Sequence, residues 1–380
     1  MQDLPIEVVS TVLQNVSATE DLLHLRSLNW TYKELVTPRV FSTLHIKNSI
    51  QSAQNCHQII GSPSLATHIR EVVYDSRDNE CFRLPPDIVG KLLFLCSHSR
   101  DAVEVSELEE ALTEAFCGLT ALPRIDRVVL NFWPSFLSQS GREVHETPFW
   151  FTNRQHILLH AIHHGMKTSR MSTLSLKNVI LPATCYDFVS SLTDSPLSHL
   201  SISVVSNADV SAWSGSKNVN GSLGALLPSS NSTLKSLVLC SPQGPYHSLT
   251  TRLSSFHYPS LESLVLENIV FDQMPSADGV EEFVLRHKDT LHRLELQSCA
   301  CHIPSSSTDD RRWSTILQRW ATELTSLREI VVNNDGLRYV LLDADRGYIP
   351  NGEISTTVFE DDSSSLQMFK DTIAADRAVE

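Results

Sequence analysis

Residues 261–302 read LESLVLENIVFDQMPSADGVEEFVLRHKDTLHRLELQSCACH, and this stretch decides the predicted fold. It contains two copies of one short pattern, in which apolar residues take the first, fourth and sixth positions: Leu261, Leu264 and Leu266, then Leu291, Leu294 and Leu296. The last two positions of each copy alternate with period two, which aims their side chains at one face of a β-strand. Residues 278–287, between the copies, are compatible with a helix. The stretch therefore predicts strand, helix and strand.

The same pattern recurs eight times along the chain, beginning at Ile69, Ile125, Met171, Leu197, Leu234, Leu261, Leu291 and Leu327. A lone strand cannot bury its apolar face, so neighbouring copies must stack. Helix-compatible segments separate several copies, most clearly Ala111 to Leu119, Gln155 to His164, Asp278 to His287 and Trp313 to Leu324. The sequence thus predicts an α/β fold built on short parallel strands.

This alternation resembles degenerate leucine-rich repeats, which implies an irregular solenoid: an arc of short parallel strands with helices or loops outside. The asparagine or cysteine usual three residues after the last leucine occurs only as Cys299, whereas Asn178 and Asn268 come one residue early. We therefore expect an uneven repeat domain over residues 47–352 without a regular buried asparagine ladder. An unrelated α/β fold with many short strands remains the alternative. Residues 204–232 are predicted to be an inserted loop, and the acidic residues 353–380 a loose tail with one helix-compatible stretch, Leu366 to Phe369.

The first 46 residues predict three short helices. Leu4-Pro5-Ile6-Glu7 opens the first, because proline suits the first helical turn, and its inner stripe would be Val9, Val12, Leu13 and Val16. Ser17-Ala18-Thr19-Glu20 reads as a capping box for the second. The third, around Thr31 to Val36, would end at Thr37-Pro38, before a strand over 41–46. These helices carry more apolar surface than their own core can use, which is typical of a docking module.

Residues 3–46 also resemble an F-box of the form common in fungal proteins. The resemblance rests on three segments, namely Leu4-Pro5-x-Glu7-Val8, the run from Asp21 to Asn29, and the run from Leu35 to Phe41. Tyr32 stands where the family usually has Trp or Phe. The resemblance implies docking on a Skp-type adaptor, and through it on a cullin, with the following adaptor-binding residues: Leu4, Pro5, Ile6, Val8, Val9, Leu13, Asp21, Leu22 and Leu25. The alternative is an ordinary N-terminal helical hairpin.

Composition narrows the classes of partner. Lys and Arg number 30 against 44 Asp and Glu, so the net charge is −14 with neutral histidines. This balance disfavours nucleic acid and anionic membranes as partners. No apolar run is long enough for a membrane helix, the N-terminus does not resemble a signal peptide, and the eight cysteines form no C-x-x-C pair. We therefore expect a reduced, intracellular protein in the cytoplasm, the nucleus or both.

Three segments of the sequence are candidates for an enzymatic site. In the segment with His156, His160, His163 and His164, the spacing of four puts His156, His160 and His164 on one helix face, where two imidazoles could hold zinc. The segment lacks the glutamate of His-Glu-x-x-His and reads better as a solvent-facing flank. Asp343-Ala344-Asp345 reads as a strand-to-turn transition rather than a metal site. Cys96 and His98, in Cys96-Ser97-His98, are too close in sequence to indicate a nucleophile and its base. We expect no catalytic residue, no metal and no cofactor.

The resemblances to an F-box and to leucine-rich repeats together imply a substrate-recognition subunit of a cullin–RING (SCF-type) ubiquitin ligase. It would dock through the F-box and present an unidentified target protein on the repeat arc, while other subunits carry out ubiquitin transfer. Two alternatives remain open: a leucine-rich-repeat scaffold without ligase association, and a metal-dependent hydrolase that uses the histidine helix.

Overall fold

The computed structural model describes residues 5–76, 101–132, 149–166, 171–181, 192–193, 195–206, 226–241, 253, 256–272, 279–303, 311–333, 337–343, 347–352 and 354–379. These residues form two compact units. Unit 1 comprises Met1–Asn131 with His164–Met171, and unit 2 comprises Phe132–His163 with Ser172–Glu380. The predicted α/β class with parallel strands and helices is confirmed.

Unit 1 begins with three helices and continues as a parallel α/β segment. Its helices are α1 (Ile6–Gln14), α2 (Thr19–Leu28), α3 (Trp30–Val40), α4 (Ile50–Ile60), α5 (Pro63–Ala66), α6 (Asp101–Cys117) and a 3₁₀ turn (Gly118–Ala121). Its strands are β1 (Thr43–Lys47), β2 (Glu71–Asp75) and β3 (Arg127–Asn131), which pair in parallel in that order. Tyr74 of β2 is fully buried, where its hydroxyl donates to Asn48 Oδ1 at 3.0 Å and its ring meets Phe116 edge-on. A buried hydroxyl needs such an acceptor to offset its lost hydration.

Unit 2 contains two sheets with helices between their strands in sequence. The strands of its first sheet are β4 (Thr173–Leu181), β5 (His199–Ser206), β6 (Ser236–Cys240), β7 (Ser263–Glu267), β9 (Arg293–Gln297) and β11 (Glu329–Val332). Those of the second are β8 (Val270–Phe271), β10 (Ala300–His302), β12 (Arg338–Asp343) and β13 (Gly347–Pro350). The helices are α7 (Phe149–Met166, in this unit up to His163), α8 (Val280–Arg286), α9 (Trp313–Glu323) and α10 (Thr356–Val379).

All eight copies of the apolar pattern coincide with a parallel strand, two in unit 1 and six in unit 2. In unit 2 the register aligns the middle apolar residues of successive copies into one row across the sheet: Leu174, Leu200, Leu237, Leu264, Leu294 and Ile330. Five of the six are at most 1% exposed, and Ile330 on the edge strand is 7% exposed. Each strand therefore buries its apolar face by continuing the row of its neighbour.

The two asparagines that come one residue before the usual position of the repeat asparagine adopt a left-handed backbone conformation. Asn178 and Asn268 have positive φ angles of 59° and 55°, and Ser298 takes the equivalent place after β9 with a φ of 49°. Asparagine tolerates this left-handed conformation better than most residues with a Cβ. The next residue along the chain, where regular repeats carry the ladder asparagine, is buried in each case: Val179, Ile269 and Cys299. The Cys299 thiol donates to the Leu266 carbonyl at 3.3 Å.

After Asn268 and Ser298 the chain enters the second sheet, as β8 and β10 respectively. Strands β8, β10 and β12 pair in parallel, and β13 closes the sheet antiparallel to β12. The Phe271 ring of β8 lies 4.7 Å from Trp313 and 5.8 Å from Trp320, both fully buried on α9. Aromatic edge contacts of this kind add to the burial energy of the rings, so α9 packs firmly against the second sheet.

The expectation of a loose acidic tail is wrong for residues 356–379, which form α10. Asp362 is 3% exposed, and its carboxylate accepts from the Ser314 amide and from the Tyr339 hydroxyl, both at 2.7 Å. The residue before α9, Arg312, offers no side-chain cap, so Asp362 supplies one from a distant helix. Burial raises the pKa of Asp362, and these hydrogen bonds oppose the shift. Because residues 356–379 are acidic overall, the apolar stripe that carries Phe369 and Ile373 was not recognised in the sequence.

The predicted loop over residues 204–232 is also shorter than expected. Residues 204–206 belong to β5, and within 226–232 the side chains of Leu226, Leu227 and Asn231 are buried. Asn231 donates to the Leu192 carbonyl at 2.7 Å, and its Oδ1 accepts from the Thr233 amide at 2.9 Å. Residues 207–225 lie outside the described part of the chain.

His287, directly after α8, is a buried connector in unit 2. Its Nε2 accepts from the Tyr258 amide at 3.0 Å, and its Nδ1 lies 2.8 Å from the Phe283 carbonyl, to which it donates. Only the neutral imidazole can accept at one nitrogen and donate at the other. Burial accordingly lowers the pKa of His287 to about 4.

We predict that Ser298→Asn raises the free energy of unfolding by about 0.5 kcal/mol, because asparagine adopts positive φ more readily than serine. Ser298→Val is expected to lower it by about 1–2 kcal/mol, because a β-branched side chain is strained there. Urea unfolding followed by circular dichroism measures both changes. Asn268→Ser serves as the reciprocal change and should destabilise. A Ser298→Val protein as stable as the wild type would contradict the left-handed assignment.

We predict that His287 makes unit 2 sensitive to mild acid. The folded-state pKa is below the ordinary value of 6.5, so its contribution is present above pH 6.5 and is lost as the pH falls toward 4. Between pH 7 and pH 5 this group should cost about 2 kcal/mol of unfolding free energy. His287→Gln should remove that part of the pH dependence, whereas His156→Gln, at an exposed position of the same unit, should keep it. Parallel pH profiles for wild type and His287→Gln would contradict the assignment.

Candidate functional site

The three N-terminal helices enclose a small core of their own. Leu13 of α1, Leu22 of α2 and Val36 of α3 are buried against one another. Partly buried apolar residues complete the cluster: Val9, Val16, Leu25, Tyr32, Leu35 and Val40. Tyr32 packs against this core. We refer to α1, α2 and α3 together as the helical module.

Two arginines tie the module together. Arg39 of α3 donates to the carbonyls of Leu13 and of Val16, the latter at 3.0 Å. These carbonyls lie at the C-terminal end of α1, where helix oxygens lack partners and a cation is favoured. Arg26 of α2 donates to Thr37 Oγ1 at 3.0 Å, and its guanidinium lies over the Phe41 ring. The sequence analysis missed both arginines, because their partners are backbone oxygens and side chains far along the chain.

Two predicted helix boundaries in the module are wrong. Helix α2 begins at Thr19 after Ala18, which makes no side-chain cap, so the capping box at Ser17 does not form. Helix α3 continues through Pro38 to Val40 instead of ending before the proline. Proline cannot donate to the Glu34 carbonyl, but Glu34 and Pro38 are both exposed, so water can satisfy that oxygen. Packing of Val40 on the core favours the longer helix.

The predicted adaptor-binding residues divide into two groups in the structure. Pro5, Ile6, Val8 and Asp21 are exposed and available to a partner. Leu13 and Leu22 are core residues, and Val9 and Leu25 pack against that core. Leu4 lies outside the described residues. The second group therefore stabilises the module, and Ile6 and Val8 are the apolar positions of the first.

The module exposes further apolar side chains that the sequence analysis did not assign to the docking surface. Val12, predicted on the inner stripe, is 58% exposed, so that assignment is wrong. Leu23, Leu28 and Trp30 are 46%, 65% and 69% exposed. Helical spacing alone could not separate Val12 from the inner stripe, because Val12 lies one helical turn from both Val9 and Val16. We refer to Ile6, Val8, Val12, Leu23, Leu28 and Trp30 as the exposed apolar set.

This exposure is concentrated in one part of the chain. Among the described residues, nine large apolar side chains are exposed, and six of them are the exposed apolar set of the module. The other three are Leu342, Phe359 and Met368. Exposed apolar surface that gathers in one segment is typical of a protein–protein contact. The module can therefore bind a partner through apolar burial.

The histidine helix does not assemble a metal centre from the residues described. In α7, His156 and His160 are exposed with ring centroids 6.4 Å apart, whereas His163 is buried together with Leu158, Leu159, Ala161 and Ile162. The His164 side chain lies outside the described residues. Across the described ranges, no group of three or more His, Cys, Asp or Glu residues could hold a metal ion.

Of the other two candidates for chemistry, only Asp343 lies among the described residues. Asp343 ends β12 and pairs with Gly347 of the antiparallel β13, as expected for a strand that enters a turn. Asp345 and the segment Cys96-Ser97-His98 lie outside the described residues.

A buried polar cluster in unit 2 was not predicted. The Asp272 carboxylate accepts from His302 Nδ1 at 2.7 Å and from the Tyr348 hydroxyl at 2.5 Å. Burial by itself would raise the pKa of Asp272, but these two hydrogen bonds hold it below the usual value. Arg311, which donates to the Phe271 carbonyl at 3.1 Å and to Glu281 at 3.0 Å, also favours the charged carboxylate. The cluster links residues that follow β8, end β10 and lie in β13, so it closes one end of the second sheet.

Comparisons with known proteins give no assignment: no protein-family model matches the chain, and the search of curated proteins found no match. In the part of the chain that the structure describes, no helix is both long enough and apolar enough to span a membrane.

We predict that Arg39→Met loosens the module. Methionine keeps the aliphatic length but cannot donate to the Leu13 and Val16 carbonyls, and the loss should cost about 2 kcal/mol of local stability. Hydrogen–deuterium exchange of α1 amides should become faster. Lys33→Met, which removes an exposed charge over the Trp30 ring, is the matched control and should leave this exchange nearly unchanged. Equal exchange rates in the two variants would contradict the role of Arg39.

Proposed function

We propose that this protein is the substrate-recognition subunit of a cullin–RING ubiquitin ligase of the SCF type. The helical module is an F-box that docks on a Skp-type adaptor, and the strand-rich remainder is an irregular leucine-rich-repeat domain that presents a target protein. The observation that carries the proposal is the concentration of exposed apolar side chains on the module, six of nine among the described residues.

The module's architecture supports a docking role. Its core of Leu13, Leu22 and Val36 is closed without Ile6, Val8 and Val12, so these three side chains contribute little to folding. These side chains are about half exposed, so each would gain about half of the roughly 1.5–3 kcal/mol that complete burial gives a fully exposed side chain. Ile6 and Val8 also coincide with two of the residues that the F-box resemblance assigns to the adaptor.

In this proposal the protein is not an enzyme. It raises the effective concentration of a target lysine near the charged conjugating enzyme, which belongs to other subunits. Such a role requires two binding surfaces and no catalytic residue, and it places the protein in the cytoplasm, the nucleus or both. It requires no cofactor.

The test is co-expression with a Skp-type adaptor followed by size-exclusion chromatography. The wild-type protein should elute as a stoichiometric complex. Ile6→Asp/Val8→Asp should weaken the complex about a hundredfold or more, because two carboxylates would have to be buried in an apolar contact. Both positions are exposed, so circular dichroism should show an unchanged fold.

Leu342→Asp/Met368→Asp is the matched control, because it places the same charges on exposed apolar positions outside the module. This variant should retain the complex. A folded wild-type protein that elutes alone would overturn the ligase proposal and leave a repeat scaffold without ligase association as the better account. Loss of the complex in the control would show that the module is not the docking surface.

A further inference from the structure

The outer face of the first sheet in unit 2 carries the side chains that alternate with the buried row. The strand register places them in lines across neighbouring strands. One line consists of Ser201, Val238, Val265, Glu295 and Val331; the line before it consists of His199, Ser236, Ser263, Arg293 and Glu329. All ten are exposed or partly exposed.

Two adjacent valines form an apolar spot on this mostly polar face, which carries one further valine, Val331, on its edge strand. Val238 of β6 and Val265 of β7 are direct register partners, and both are partly exposed. Small hydroxyl side chains, Ser201, Ser236 and Ser263, are their neighbours in the two lines, so no large side chain from these positions covers the valines. The spot can therefore accept an aliphatic stem from a partner.

Carboxylates border the spot on the side of β7, β9 and β11. Glu295 is the register partner of Val265, and Glu267 lies two residues after Val265 on the same face. Glu329 lies on the next strand. The two lines contain one cation, Arg293, which pairs with Glu295 at 2.9 Å and with Glu329 at 3.5 Å. The three carboxylates therefore outnumber the cation.

The surrounding charges reduce that excess but do not remove it. In the preceding line, Lys235 and Glu262 neutralise each other at 2.8 Å, and Arg328 directly precedes the edge strand β11 beside Glu329. Glu267 accepts from the Cys240 thiol, whose pKa is raised by burial and then by this carboxylate. A thiol offers Glu267 no positive charge, so a cation from a partner would improve its electrostatic environment.

We propose that this face binds an extended basic segment of a target protein, with lysine or arginine side chains as the anchors. One anchor lays its methylene stem on Val238 and Val265 and directs its cation to Glu267 and Glu295. The net charge of −14 adds long-range attraction for such a segment. This inference rests on the proposed function, because it names the chemistry of the target that the receptor presents.

The probe is a fluorescein-labelled eight-residue peptide that alternates valine with arginine, measured by fluorescence anisotropy on the full-length protein. A peptide with glutamate in place of arginine is its control. We expect the arginine peptide to bind, the glutamate peptide not to bind, and binding to weaken as salt is raised. Absence of binding by the arginine peptide, or equal binding by both peptides, would overturn the inference.

Glu267→Gln/Glu295→Gln should weaken binding of the arginine peptide about tenfold, because two charge pairs are lost. Glu107→Gln/Glu110→Gln removes the same charge from exposed positions of α6 in unit 1 and should change binding little. Equal loss in both variants would indicate a non-specific charge effect and overturn the site. Thermal melts confirm that each variant is folded.

Adaptor binding separates this inference from the proposed function. The Glu267→Gln/Glu295→Gln protein should still co-elute with the Skp-type adaptor. If the wild-type protein forms the adaptor complex but does not bind the arginine peptide, only the target class is wrong. If the peptide binds and the wild-type protein forms no adaptor complex, the ligase proposal fails and the basic-peptide site stands.

Discussion

The buried row that crosses the first sheet of unit 2 is the constraint on which the rest of that unit depends. A parallel strand exposes apolar side chains until another strand continues its line, so each copy of the pattern is stable only beside the next. The alternate side chains must then face outward on the other side of the sheet. The same register that buries Leu237 and Leu264 therefore aligns Val238 with Val265 on the face proposed to bind a target.

The turns and ends of unit 2 are closed by polar groups that a hydrophobic pattern cannot provide. Asp362 caps α9 from the C-terminal helix, His287 links Tyr258 to Phe283, and Asp272 gathers His302 and Tyr348. Each buried group is stable because its hydrogen bonds replace those that it made with water. The hydrogen bonds of Asp362 also fix α10 against the unit, so this acidic segment is part of the fold.

In the helical module, the apolar side chains are divided between a small core and an exposed surface. Three short helices form a small core, which Leu13, Leu22 and Val36 close without using all of the module's apolar residues. Arg26 and Arg39 join the helices by hydrogen bonds. Exposed apolar side chains are costly in a monomer and are useful when a partner covers them. This balance is the physical basis for treating the module as a docking element.

The sequence by itself determined the parallel α/β class, the place of every repeated strand and the existence of the three helices, because these depend on local periodicity. It could not separate Leu13 from Val12, or Leu22 from Leu23, because helix spacing leaves the facing direction open until the neighbouring helices are in place. The tertiary structure also decided the helical tail and the Asp272 cluster, whose partners are distant in sequence. Hydrogen bonds between such residues leave no local signal, since they exist only after the strands have stacked.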